Sequence, residues 1–563
     1  MLRRLLIAPV IVLALAPAAH AASVKTYPSS QTIKPSGALP AGGGTSLTLN
    51  VAVGETEDAQ IVVAGARNVA ALLDGAPLKP LISRLLFGHY VSFGASRVPD
   101  ALMPWNGAPA PAEATNQPLW LQIGVPEGTA AGTYTTKIVV NADDAQTTIP
   151  VTVQVFNVSI PPFNQVSGNL LTAFNLGAES YVNKVSSLYT LNNEQRIVVN
   201  ASLFKFLAEH RISPNSWGFG EPGGKSASGY ERNAKWWLDS AGNMERQMQA
   251  SGGFSAMRIP ISNNRTAAHN YAGGIDPAKP ETWCDYLKSV HDFWASHNWL
   301  GSSLSFVYGQ DEPGLAGQRL VARQASVAHR CWAGSMVLMT GNPTNENRFL
   351  WDGRNNDDLD IWTVLSRRYY GTYSTPRGPR REHRDLAFIE KVRAKHKLVW
   401  TYTYTGIPGS PGFSATEPLS NPRIIVLWTA LEHTTGFLYG EGMTTYTAGN
   451  PLDAVKSQGD FVLLYPGRDE PVTSARLEQI RDSIEDWSIY NAVYRKRGLG
   501  AVRAILGGQG LFSASASGVK LACTAFCDLK GSTKYAWPQW SKDASTPRKI
   551  EAAKLQALKI AAG

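Results

Sequence analysis

The chain has 563 residues, of which 44% are hydrophobic and 17% charged, and this composition is typical of a folded protein. Its length exceeds what one hydrophobic core organises, so we expect two or three domains. The formal charge of +9 comes from dispersed lysines and arginines, which argues against nucleic-acid binding and leaves attraction to acidic glycans open.

Residues 1–21 have the pattern of a secretory signal peptide. Two arginines precede an apolar run that ends in A-H-A, an A-x-A cleavage motif. The run is too short for a comfortable membrane span, and no later stretch reaches the ~18 apolar residues of a membrane helix. We therefore expect a periplasmic or secreted protein that is not inserted in a membrane.

Residues 22–161 predict an all-β domain. Apolar and polar residues alternate between turns rich in Gly, Pro and Asp, and Ile149, Val151, Val153 and Val155 share one face of the last strand. We expect a β-sandwich that packs against the next domain, since no catalytic motif stands out in it.

Residues 162–498 show a repeating pattern of strand, loop and helix, which predicts a (β/α)8 TIM barrel of the α/β class. The eight predicted strands are Asn169 to Phe174, Ile212 to Trp217, Met257 to Ile261, Leu304 to Tyr308, Met336 to Thr340, Asp360 to Leu365, Leu398 to Tyr404 and Gly436 to Tyr439.

Two helices follow the last strand. The first carries Leu477, Ile480, Ile484 and Trp487 on one face, and the second begins at about Pro547. We expect the tail, residues 499–563, to pack on the barrel as a short extension.

Four cysteines in an oxidising compartment predict two disulfides. Three pairings are open. We favour Cys523–Cys527, which lie close in CTAFC, and Cys284–Cys331, which would join the helices on either side of the fourth strand. A zinc site at CTAFC is the alternative, although no second Cys or His pair stands nearby.

The fourth strand, in SLSFVYGQDEP (303–313), ends in two adjacent carboxylates, Asp311 and Glu312. A TIM barrel places its chemistry at the C-terminal ends of its strands. The alternative is an acidic pair that favours the dipole of a helix N-terminus.

Other predicted strand ends carry aromatic and polar groups that suit a sugar, because aromatic faces stack on pyranose rings and polar groups bind hydroxyls. The candidates for substrate binding are Trp217, Arg265, Tyr370, Trp400, Tyr402 and Glu441.

Adjacent acids point in different directions from an extended chain, so they do not easily flank one glycosidic bond at ~5 Å. They suit another scheme, in which Glu312 protonates the leaving group while Asp311 orients an acetamido group of the substrate as nucleophile.

Several motifs resemble glycoside hydrolase family 123 and the wider bacterial group that shares its C-terminal catalytic region. They are YGQDEP, DIW (360–362), WTYTYTGIPG (400–409), GFLYG (436–440), GDFVLLYPG (459–467) and PVTSARLEQIRDSIEDWSIY (471–490). The preceding β domain resembles the family's N-terminal sandwich.

The resemblance implies a β-N-acetylgalactosaminidase-like hydrolase with a retaining, substrate-assisted mechanism and no cofactor. It implies that Glu312 is the general acid/base, that Asp311 polarises the 2-acetamido group, and that Tyr402 is a pocket aromatic. Where the family usually continues from GFLYW, this chain reads GFLYGEG, so Glu441 alters a wall of the sugar pocket.

Two alternatives remain. A glycosidase for another sugar would use Glu312 and Glu441 as acid/base and nucleophile. The second alternative is a carbohydrate-binding protein whose barrel has lost its hydrolytic activity.

Overall fold

The computed structural model describes residues 22–217, 234–261, 278–354, 358–370, 372–374, 380–381, 384–404, 410–515, 518–519, 521–523 and 534–563. The predicted signal peptide, Arg265 and Cys527 lie outside these ranges.

Ten strands form the N-terminal region as two packed sheets. They are β1 (Ser23–Pro28), β2 (Leu47–Val53), β3 (Thr56–Ala64), β4 (Asn68–Leu73), β5 (Ile82–Phe93), β6 (Ser96–Trp105), β7 (Ala110–Pro111), β8 (Asn116–Gly124), β9 (Gly132–Ala142) and β10 (Ala145–Ser159). One sheet has the order β1-β3-β8-β5-β6 and the other β2-β10-β9-β4-β7. The apolar side chains of both sheets share one core, as in a β-sandwich.

The next strands in chain order are β11 (Leu171–Phe174), β12 (Ala256–Arg258), β13 (Leu304–Gln310), β14 (Met336–Thr340), β15 (Ile361–Leu365), β16 (Thr372–Ser374), β17 (Arg380–Arg381), β18 (Leu398–Thr403) and β19 (Gly436–Tyr439). Seven of them form one parallel sheet in the order β11-β19-β18-β15-β14-β13-β12. Their inward side chains fill a nearly closed barrel. We call the edge at which these strands end the rim.

The helices are α1 (Ala178–Tyr189), α2 (Asn193–Glu209), α3 (Ala234–Ser251), α4 (Cys284–Ser296), α5 (Leu315–Cys331), α6 (Arg384–Arg393), α7 (Asn421–Glu432), α8 (Ala475–Arg497), α9 (Leu499–Gly508) and α10 (Thr546–Ala562). Cys284 and Cys331 form a disulfide between α4 and α5, which confirms that predicted pairing. No helix in the described part of the chain is long and apolar enough to cross a membrane.

The predicted second strand, Ile212 to Trp217, is a single bridge in the structure. Pro214 pairs with Phe174 of β11, and Pro214 has no N–H with which to continue a ladder. On its other side this segment is joined to β12 by side chains: Trp217 Nε1 donates to the carbonyl of Arg258 at 2.7 Å, and Arg258 donates to the carbonyl of Asn215 at 2.6 Å. The barrel sheet therefore has seven strands among the described residues, where eight were predicted.

The chain after the barrel returns to the sandwich. Three short strands, β20 (Ala454–Val455), β21 (Leu464–Tyr465) and β22 (Val472–Ser474), join the first sandwich sheet. β20 pairs with β5, and β22 pairs with β6. This sheet thus combines N-terminal strands with strands that follow the barrel in sequence.

Helix α8 lies between the sandwich and the barrel and is buried from Ala475 to Asn491. Its predicted apolar face joins the core of the barrel region, while its charged face meets the sandwich. The interface contains several buried acids, and we call five of them the seam carboxylates: Asp58, Glu478, Asp482, Glu485 and Asp486.

Arginines hold the seam carboxylates. Arg481 contacts Asp58 at 2.8 Å, Arg423 contacts Asp486 at 2.9 Å, and Arg211 contacts Glu485 at 2.9 Å. Because these acids are buried together with arginines, the sandwich can cover the charged face of α8.

The remaining strands are β23 (Ala514–Ser515), β24 (Gly518–Val519), β25 (Leu521–Cys523) and β26 (Lys534–Pro538). β26 pairs with β16 and β25 in a small sheet beside the barrel. Helix α10 contacts both α8 and the sandwich: Lys554, fully buried, contacts Glu55 and Glu57. The tail therefore packs on both regions and not on the barrel alone.

Candidate active site

The two predicted acids follow a bulge at the end of β13. The register of β13 against β14 slips by one residue at Gly309. A Cβ there would lie 2.8 Å from Gln324 Oε1, so a larger residue would require that side chain to shift. A bulge changes the direction of the side chains that follow it. Asp311 and Glu312 accordingly leave the sheet at the rim and are exposed to solvent.

Asp311 is held by two hydroxyl groups. Tyr308 Oη donates to Asp311 Oδ1 at 3.0 Å, and Thr340 Oγ1 donates to the same oxygen at 2.9 Å. Burial, followed by the charge of Asp311, raises the pKa of Tyr308, so its phenol stays protonated and remains a donor. Both donors orient the Asp311 carboxylate.

Glu312 has different partners. Its backbone N–H donates to Thr340 Oγ1 at 2.7 Å, and its carboxylate accepts a hydrogen bond from Tyr402 Oη. Burial and the Glu312 carboxylate raise the pKa of Tyr402, which keeps this phenol a donor as well. Glu312 has φ of 42°, a left-handed conformation that is uncommon for a residue other than glycine and clusters at functional sites.

Thr340 connects the two acids. It accepts from the backbone of Glu312 and donates to the side chain of Asp311, so a single hydroxyl fixes both in one arrangement. Two acids with fixed and different surroundings are what a division of catalytic roles requires.

Glu441 lies on the same rim. It follows Gly440, directly after β19, and is partly exposed. Its position places a third carboxylate at the rim.

Three predicted substrate-binding aromatics are not at an accessible position. Trp400 is 0% exposed in the barrel core, where its ring lies against Gly436. Trp217 is also 0% exposed and stacks on Phe204. Tyr370 is buried, and its hydroxyl donates to Glu432 at 2.6 Å, behind the barrel strands. These residues support the fold around the rim, and of the predicted aromatics the structure brings Tyr402 to the acids.

Four further residues at the rim were not among the predicted site residues. Tyr308 and Thr340 hold the acids. Arg258 lies 5.5 Å from the Tyr308 ring centre, while Arg367 contacts the hydroxyl of Tyr404, two residues beyond Tyr402. For Tyr308, Thr340 and Arg367 the available signal was their position, at or just after the C-terminal end of a predicted barrel strand. Arg258 lies near the start of the predicted strand Met257 to Ile261, and only the observed strand, Ala256–Arg258, places it at the rim.

A second acidic cluster lies far from the rim. Glu55, Glu57 and Asp486 bring their carboxylate oxygens close together, as metal ligands do. The ammonium group of Lys554 contacts both glutamates, so this cluster already holds a cation from the chain itself.

Comparison with protein families matches residues 248–493 to "Glycoside hydrolase 123, catalytic domain". This range contains β12–β15, β18 and β19, both acids and most of α8. The protein is a glycoside hydrolase. This match confirms the resemblance to family 123 that the sequence motifs indicate.

Solved structures agree with this fold. A family 123 glycoside hydrolase from Clostridium perfringens, described in work on glycolipid glycan hydrolysis, superposes with a TM-score of 0.62 at 11% identity, covering 96% of this chain and 98% of that one. The likeness therefore includes the sandwich as well as the barrel.

Two other structures are similar at a much lower level. A putative α-galactosidase from Bacteroides fragilis has a TM-score of 0.27 at 9% identity, covering 78% of this chain and 77% of that one. A termite-gut GH10 xylanase with a bacterial Ig-like domain has a TM-score of 0.28 at 8% identity, covering 79% and 100%. Likenesses this weak do not inform the fold. Comparison with curated protein sequences finds no match.

Proposed function

We propose that the protein is a secreted or periplasmic β-N-acetylgalactosaminidase-like hydrolase that uses the 2-acetamido group of its substrate as nucleophile. The observation that carries this proposal is the arrangement of the acids. Asp311 and Glu312 are adjacent and exposed, yet each is oriented by its own hydroxyl donors.

In this mechanism Glu312 is the general acid. Its proton goes to the glycosidic oxygen as the bond to C1 breaks, while the acetamido carbonyl oxygen attacks C1 from the opposite face. Asp311 accepts a hydrogen bond from the acetamido N–H and stabilises the positive charge that develops on this group. Tyr308 and Thr340 occupy Oδ1 of Asp311, and we assign Oδ2 to the substrate.

The second half reverses the roles. The Glu312 carboxylate takes a proton from a water that attacks C1, and the bond from C1 to the acetamido oxygen breaks. Two inversions give net retention. Tyr402, which donates to Glu312, stabilises the carboxylate at this stage.

We infer also that segment 212–217 takes the place of the predicted second barrel strand, since it lies between β11 and β12 and contacts both. The substrate class extends in our proposal to β-linked acetamido sugars of glycolipid glycans, as in the work on the C. perfringens protein.

The test compares two aryl β-glycosides that differ at one group, a 2-acetamido-2-deoxygalactoside and the matching galactoside. Substrate assistance predicts hydrolysis of the first and at most a trace of the second. Asp311→Asn should then lower kcat on the first substrate by about 10²-fold or more, since Asn cannot stabilise the charged acetamido group. Equal rates on both glycosides would overturn the proposal.

A second mechanism is favoured by one observation, the carboxylate of Glu441 on the same rim. Here Glu441 would attack C1 directly and Glu312 would remain the acid. Glu441→Gln separates the two schemes, because it abolishes the second and leaves the acetamido nucleophile of the first intact.

A further inference from the structure

The sandwich reaches the rim through a buried arginine at the start of α8. Two loops follow the last two barrel strands: the first rim loop, described over residues 410–420, and the second rim loop, residues 440–463. The first rim loop follows β18, which supplies Tyr402. The second rim loop follows β19 and contains Glu441. What fixes these loops is therefore relevant to the pocket.

Arg476 contacts both loops and the sandwich at once. Its Nε and Nη2 bind the two carboxylate oxygens of Asp100, on β6, at 2.9 and 2.7 Å. Its Nη1 donates to the carbonyls of Phe413 and Gly459, both at 2.7 Å, and Nη2 donates to the carbonyl of Val462 at 2.6 Å. All five N–H groups of the guanidinium are used, and the residue is 1% exposed.

The tip of a sandwich hairpin completes the contact. Phe93, at the end of β5, lies 5.6 Å under the Arg476 guanidinium. Gly459 packs so closely on Phe93 that a Cβ would lie 2.7 Å from its ring, and its φ is 94°. The second rim loop is therefore shaped to this hairpin.

Backbone hydrogen bonds connect the residue after Val462 to the segment beside Glu441. Leu463 N–H donates to the carbonyl of Met443 at 2.9 Å, and Met443 N–H donates to the carbonyl of Asn175 at 3.1 Å. Met443 is two residues beyond Glu441. Tyr439 Oη also donates to the carbonyl of Asp460 at 2.5 Å, so the segment beside Arg476 is joined directly to the end of β19.

We propose that Arg476, held by Asp100, is a positioning residue for the sugar pocket, and that the sandwich takes part in substrate binding through it. The pair sets the first and second rim loops as one wall, without contact to the sugar. This proposal rests on the glycosidase function proposed above.

The chain provides a matched control for this pair. Asp58, also on the sandwich, binds Arg481 of α8 at 2.8 Å, and the contacts of Arg481 are to other seam carboxylates and not to the rim loops. Asp100→Asn and Asp58→Asn each weaken one buried contact between the sandwich and α8. They differ in which loops depend on it.

The experiment measures kinetics and hydrogen exchange of the full chain at a temperature where both variants are folded. Asp100→Asn should lower kcat/KM by about 10- to 100-fold, mostly through KM, and speed amide exchange in residues 410–420 and 456–463. Asp58→Asn should change neither kcat/KM nor the amide exchange of these loops by more than about twofold. Arg476→Lys keeps the charge but cannot make all five contacts, three of which go to loop carbonyls, so it should affect both readouts at least as strongly as Asp100→Asn.

The proposal is overturned if Asp100→Asn leaves exchange in these loops unchanged, or if the two Asn variants affect both readouts equally. The exchange measurement needs no substrate. If the parent hydrolyses no acetamido glycoside, the proposed function fails while loop fixation is still decided by exchange.

Discussion

Two groups of carboxylates in this protein carry the same charge in opposite surroundings. Asp311 and Glu312 are exposed at the rim and are held by hydroxyls. The seam carboxylates are almost fully buried and are held by arginines. The hydroxyls orient acids that remain open to solvent, whereas the guanidinium groups pair with acids that are enclosed between the sandwich and the barrel.

The comparison teaches that acidic motifs need their surroundings before they can be assigned a role. RDSIED (481–486) holds three acids and QDEP (310–313) two, yet the acids of RDSIED lie on a covered helix face. Burial raises the pKa of Glu485 to about 7 against the opposing charges of Arg211 and Arg481, so even a strong pKa shift marks structure here and not catalysis. Exposure at a strand end is the better indicator.

The largest effect is expected at the rim. Glu312→Gln keeps the shape of the side chain and removes its proton transfer, so kcat should fall by about 10²–10⁴-fold. The melting temperature should stay close to that of the parent, because the side chain is exposed. Steady-state assays with the acetamido glycoside and a thermal melt measure both quantities.

Glu281→Gln provides the control, since Glu281 is an exposed glutamate in a surface ion pair with Arg323. It should leave kcat unchanged. A Glu312→Gln enzyme with parental kcat would show that the rim acids, like those of the seam, are structural.

The opposite result is expected at the seam. Arg423→Met leaves Asp486 buried without its arginine, while Asp482 keeps Arg481, and should lower the free energy of unfolding by about 3–5 kcal/mol. Once folded, the variant should retain kcat. Urea unfolding and steady-state assays provide the two measurements.

Arg323→Met is the matched change at the surface. Arg323 and Glu281 are each 57% exposed, so the loss of their ion pair should cost about 0–1 kcal/mol. Equal destabilisation by the two variants would mean that burial does not distinguish the seam from the surface.

A smaller effect is expected from Thr340, which joins the two rim acids. Thr340→Val removes one hydroxyl and with it the hydrogen bonds to both Asp311 and Glu312, so kcat/KM should fall by about 10-fold, on the basis of ~0.5–1.5 kcal/mol for each bond. Thr340→Ser keeps the hydroxyl and should restore most of the activity. If Val and Ser behave alike, the threonine only fills space.

Much of this architecture follows from local patterns in the sequence. Strand β14, Met336–Thr340, and strand β19, Gly436–Tyr439, have the predicted bounds, because short apolar runs between turn residues mark buried parallel strands. The disulfide between α4 and α5 was also predicted, since both cysteines lie in helices that flank β13.

What local patterns do not contain is pairing between distant segments. The second barrel strand was predicted at Ile212 to Trp217, but Pro214 limits it to a bridge and side chains replace the ladder. The aromatic character of Trp217 and Trp400 indicated sugar binding, yet both fill cores, because a large apolar ring is as useful there. Tyr308 and Thr340 could be recognised as acid partners only once the register of β13 and β14 was known.

The strands β21 and β22 impose an order on how the molecule can be made. A nascent chain emerges N-terminus first, so the sandwich is complete in sequence some 300 residues before these strands are synthesised. Until then the edge of β6 has unpaired backbone groups, and Asp100 has not yet met Arg476. An open edge of this kind invites pairing with another chain. During synthesis the N-terminal sheet therefore stays incomplete until β21 and β22 have been made. A chain truncated within the barrel would expose the edge of β6 permanently.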